Sequence, residues 1–83
     1  MKIHSIYDNG GETFDRFTVY FKGQDTVNPR NGFRCFLGMS ERPFHPQGFG
    51  QHGEGMTGKH NGRRITFESL PVDCQTAVLA DLN

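Results

Sequence analysis

The chain has 83 residues, enough for one domain spanning 1–83 with a single core, and its nine basic and nine acidic residues cancel. That balance excludes a global field strong enough to draw the protein onto a polyanion or an anionic membrane, and it excludes an acidic mimic of nucleic acid. No leader-like pattern and no apolar run of membrane-spanning length occurs, so the expected location is the cytoplasm, with no membrane partner.

Eight phenylalanines and two tyrosines supply the bulk for a core. Residues 2–7 form a short β-prone run, followed by the turn signal Asp8-Asn9-Gly10-Gly11, whose Asn and Gly tolerate the positive φ that hairpin turns demand. Across 14–22, Phe17, Val19 and Phe21 alternate with Arg16, Thr18, Tyr20 and Lys22, the period of a strand with one buried face. A polar connection containing Asn28-Pro29 and Asn31-Gly32 leads to a third strand over 33–37, with Phe33, Cys35 and Leu37 on one side and Arg34 and Phe36 on the other. A brief fourth strand is predicted over 64–67, with Ile65 and Phe67 on one side.

The predicted helix covers 70–81: Ser69 is placed as N-cap, Pro71 suits the first turn, and Asp73 sits near the positive end of the dipole. Leu70, Cys74, Ala77 and Val78 make its apolar stripe. These elements define an α+β fold, a small antiparallel β-meander of three to four strands packed against one C-terminal α-helix. Cys35 and Cys74 fit no CxxC spacing and are expected as buried, reduced thiols.

The remaining segment, 39–63, is read as a long Gly/His-rich loop. Its apolar residues Met39, Phe44, Phe49 and Met56 are too few to order it by burial alone. It is therefore mobile, folded by backbone hydrogen bonds into short strands or turns, or ordered by a metal, ligand or partner.

Several chemistries fit this segment. Pro43 and Pro46 bias Arg42 and His45 toward extended backbone, giving a stiff, PPII-like stretch that projects Phe44 and His45. With Phe49 and His52 these are the candidate partner-binding residues; a proline-braced turn with Phe44 plugged into the core is the structural alternative. Lys59, His60, Arg63 and Arg64, interleaved with glycines, are candidates for phosphate, nucleotide or nucleic-acid binding, although no Walker motif is present. His45, His52 and His60 are candidate zinc ligands, with Cys35 and Cys74 as further donors, but their spacings of seven and eight residues match no short zinc signature. An enzyme would need His45 or His52 as base with Glu54 or Glu41 beside it; no nucleophile elbow or paired-carboxylate spacing accompanies them, and no catalytic residue and no obligatory cofactor is assigned.

The stretches IYDNGGETFDRFTV, GMSERPFHPQGFGQHGEG and GKHNGRRITFESLPVDCQ together resemble a group of short proteins carried by bacteriophages, prophages and related mobile elements. The resemblance covers most of the chain and brings no fold, activity or site residues with it. It implies a bacterial cytoplasmic setting and a phage-type role, in which a small non-enzymatic protein binds, and in some cases inhibits, a host or defence protein.

Overall fold

The alternation between Phe17 and Lys22 builds the middle of a five-stranded antiparallel sheet. The computed structural model describes residues 2–82, with strands β1 (Lys2–Asp8), β2 (Phe17–Lys22), β3 (Arg34–Met39), β4 (Gly50–Gly55) and β5 (Arg63–Arg64), followed by one helix, α1 (Val72–Leu82). The sheet order is β4-β3-β2-β1-β5, so β1 to β4 form a meander and β5 returns to the opposite edge beside β1. The molecule is thus α+β, a sheet with one C-terminal helix, as the sequence predicts.

Cross-strand partners share a face of the sheet, and the register sorts the side chains. Ile6 faces Val19, Val19 faces Leu37, and Phe17 faces Met39 on the helix side. There they meet Leu70, Cys74 and Val78, and Val19, Met39, Cys74 and Val78 lose all contact with solvent. Ile3, Ile65, Phe67, Ala77 and Leu82 pack around this core. Both cysteines are free; Cys74 is buried and donates its Sγ–H toward the Ser40 carbonyl at 3.3 Å, whereas Cys35 is only half-buried.

The other face carries Tyr7, Tyr20 and Phe36 on three adjacent strands. Their rings meet edge-on, with centroids 5.9 Å apart for Tyr7–Tyr20 and 5.4 Å apart for Tyr20–Phe36. Tyr20 was expected on a solvated face with Thr18 and Lys22, yet Tyr7 and Tyr20 are both buried. The cause is residues 56–62, which run as a strap between the far ends of β4 and β5. The Tyr20 hydroxyl donates to the Met56 carbonyl at 2.9 Å and lies 2.9 Å from Asn61 Oδ1, and the Gly58 amide donates to the Tyr7 hydroxyl at 3.1 Å. Asn61 ties the strap to itself through Nδ2, which donates to the Met56 and Gly58 carbonyls.

Several predicted boundaries move. Segment 39–63 is not one loop: its middle is β4, paired with β3 from Arg34↔Gly55 to Met39↔Gly50. This strand has no alternating apolar residues and is read as loop for that reason. Its glycines serve the neighbouring strand, since a Cβ at Gly53 would lie 2.8 Å from Phe36 Cζ and one at Gly55 3.3 Å from Phe36 Cε2. Strand β2 starts at Phe17 rather than residue 14, because the Gly10 and Gly11 amides donate to the side-chain oxygens of Asp8 and Asn9 and open a wider hairpin loop.

Of residues 63–67, Arg63 and Arg64 form the ladder with β1 and the Ile65 amide donates to the Ile6 carbonyl at 3.0 Å; Phe67–Ser69 instead form a 3₁₀ turn. Ser69 does not cap the helix, since its hydroxyl bonds that of Thr66, and the Pro71 carbonyl accepts the first helical bond from the Gln75 amide. No helix among the described residues is long and apolar enough to cross a membrane.

Candidate functional site

Three segments converge where β1 ends and β2 begins: the β1–β2 loop, the connection from β3 to β4, and the end of the strap. Arg16 joins the first two. Its Nε and Nη2 hold the Asp8 carboxylate at 2.8 and 3.1 Å, and its Nη1 reaches Glu41 Oε1 at 2.5 Å. The guanidinium also lies 5.2 Å from the Phe17 ring centroid. The bond from Arg16, aided by the Gly10 amide and nearby positive charge, outweighs burial and holds the Asp8 carboxyl below the usual carboxylate range. A planar fork held on three sides is a fixed point for two otherwise polar loops.

The β3–β4 connection is built from two stacked turns. The His45 amide donates to the Arg42 carbonyl at 3.1 Å and the Gly48 amide to the His45 carbonyl at 2.7 Å. Pro43 and Pro46 each stand second in a turn, where a φ near −65° is already required. The PPII-like stretch expected over 42–47 is therefore replaced by consecutive turns. Gly48 is compelled by their closeness, since a Cβ there would lie 1.9 Å from the Arg42 carbonyl oxygen. Phe44 does not plug the core: it is 61% exposed at the tip of the first turn.

Between these turns and the β1–β2 loop lies an open cleft of about 540 Å³, walled by Glu12, Phe14 and Arg16 on one side and by Glu41, Arg42 and His45 on the other. Phe14 is 64% exposed and leans on Phe49, the ring centroids 6.3 Å apart. Phe49 is half-buried and anchored through its backbone to Ser40, whose amide and hydroxyl meet it at 2.9 Å. Of the four candidate partner-binding residues, Phe44, His45 and Phe49 thus belong to one corner of the molecule. His52 does not. It projects from β4 on the helix side, where Nε2 lies 2.5 Å from Asp81 Oδ2 of α1.

A second cleft, of about 500 Å³, opens on the other side of the same loop and collects Lys59, His60 and Arg63. Asp8, Glu12 and Arg16 line it as well. Arg64, the fourth candidate for phosphate binding, pairs with Tyr7 and faces the opposite way from Arg63 by strand alternation. The basic cluster of the sequence is therefore split in two. His45, His52 and His60 stand on three separate elements, and among the described residues no three His, Cys, Asp or Glu side chains gather into a metal-sized group.

Arg16, Phe14 and Glu12 were not singled out by sequence. One signal for Arg16 was present: Asp8 and Arg16 bracket a Gly-Gly turn, so a hairpin sets their opposite charges side by side. No signal announces that Phe14 meets Phe49, because that contact depends on where the turns of 42–48 land. No known protein family, curated protein or solved structure matches the chain.

Proposed function

We propose that the protein is a small interaction module that binds a partner protein at the cleft between the β1–β2 loop and the turns of 42–48. The observation that carries this reading is two aromatic rings left more than half exposed, Phe14 on the wall of the cleft and Phe44 at the tip of the turn whose Arg42 and His45 line it, on loops fixed by the Arg16 clamp and by stacked proline turns. Rigid aromatic side chains beside an ordered arginine are what protein interfaces use as anchors, since little side-chain entropy is lost when they are covered. The partner segment presents an apolar side chain to the Phe14–Phe49 pair and polar groups to Glu12, Glu41, Arg42 and His45. The likeness to short proteins of mobile elements supports a host or defence protein as that partner. The second cleft supports a nucleotide less well, because Asp8 and Glu12 stand among its cations.

A photo-crosslinking residue at position 44, expressed in bacterial cells, should trap one protein, whose purified form then binds the wild-type chain in calorimetry. Phe14→Ala and Phe44→Ala should each weaken that binding at least tenfold, about 1.4 kcal/mol, without shifting the melting temperature. A trapped protein whose affinity ignores both substitutions would overturn the assignment of this cleft.

A further inference from the structure

A second charged surface lies at the opposite end of the sheet, on the face that carries the strap, and no stretch of sequence announces it. Lys2 and Lys22 are direct cross-strand partners. On the next strand Arg34 precedes Phe36 by two residues, and Phe36 pairs with Tyr20, so Arg34 shares the face of Lys22, although the β2–β3 ladder ends at Tyr20 and Arg34 bridges Val27 beyond the turn that follows Lys22. Lys2, Lys22 and Arg34 thus make a row of three cations on one face of the sheet. Arg34 is fixed in place, its Nη1 donating to the Phe21 carbonyl at 3.1 Å, which leaves most of its fork free.

His4 sits beside the row in the bulge of β1, its Nδ1 2.9 Å from Ser5 Oγ. Burial, and then the positive charges of Arg34, Arg64 and Lys22, hold its imidazole below the ordinary histidine value. Among the described residues Arg16 makes ion pairs with Asp8 and Glu41, and the His52 ring meets Asp81; none of these contacts serves this patch. Like charges set directly opposite one another in a sheet are unfavourable. The free protein carries that cost between Lys2 and Lys22.

We propose that Lys2, Lys22 and Arg34, flanked by His4 and Arg64, form a binding surface for the phosphate backbone of a single-stranded nucleic acid. Three cations on one face offer partners for about three phosphates of one strand, more than a lone inorganic phosphate supplies. The rings on this face are already occupied: Tyr7 and Tyr20 are buried under the strap, and Phe36 lies across Gly53 and Gly55. Binding is therefore through charge, indifferent to sequence and sensitive to salt. This surface is separate from the aromatic cleft and does not depend on it.

Fluorescence anisotropy with labelled single-stranded DNA and RNA of mixed sequence tests the assignment. The affinity should fall about tenfold between ~50 and ~200 mM salt, with a logarithmic slope near −2 for three phosphate contacts. Lys22→Gln plus Arg34→Gln should weaken binding at least tenfold and flatten that slope. Lys59→Gln plus Arg63→Gln, at the far end of the strap, should leave binding within about twofold. If the Arg34 change disturbs the fold by freeing the Phe21 carbonyl, Lys2→Gln plus Lys22→Gln makes the same test while removing a like-charge contact. Absence of binding at low salt, binding unaltered by these changes, or capture by phosphatidylserine vesicles without capture of the oligonucleotides would each overturn the proposal.

Discussion

A methyl group at position 53 would sit 2.8 to 3.4 Å from three atoms of the Phe36 ring, and Tyr20, edge-on at 5.4 Å, limits where that ring can go. Gly53→Ala should therefore destabilise the protein by about 1 to 3 kcal/mol in urea unfolding, the usual cost of overfilling a packed site. Combining it with Phe36→Leu should recover part of that loss, giving a coupling energy that a merely flexible glycine would not produce. The same residues explain what sequence reading missed. Glycine at 53 and 55 looks like loop composition, because the ring that demands small neighbours, Phe36, lies far upstream and only the register brings them together.

Among the elements, the hairpin of β1 and β2 and the apolar stripe of α1 were legible, since each declares itself by a local period and a turn or breaker at its edge. The strap has no period of its own. It is held by hydroxyl and amide contacts to Tyr7, Tyr20 and Asn61, which no spacing rule anticipates. Tyr20→Phe should cost about 1 to 2 kcal/mol through lost bonding to the Met56 carbonyl and Asn61. Amide hydrogen exchange should quicken at Gly58 and Asn61 before it changes in β2 or β3. Uniform acceleration across the sheet would mean that Tyr20 acts through the core instead. At the candidate site the prolines made Phe44 and His45 legible, whereas Phe14 and Arg16 gained their roles only from the meeting of two loops distant in sequence.

For the whole molecule, the Arg16 clamp links both clefts to solution pH. The Asp8 carboxyl, 9% exposed, has a folded-state pKa below its unfolded value, so the unfolded chain binds the proton more readily. Stability from this pair is complete above the unfolded value, near pH 4, and drains away as pH falls through the lowered folded value. Thermal melts between about pH 5 and 2 should therefore fall more steeply for the wild type than for Asp8→Asn, which should already be less stable at neutral pH. Equal slopes would remove Asp8 from the acid response.

The return of β5 to the far edge also sets an order of assembly. The meander from β1 to β4 joins neighbours in the chain and closes short loops, whereas pairing Tyr7 with Arg64 closes the whole meander and the strap into one ring. The helix-side core and the strapped face therefore have different histories. The strap arrives after the sheet it crosses, and a newly made chain shows its paired tyrosines to solvent until residues 56–64 have followed.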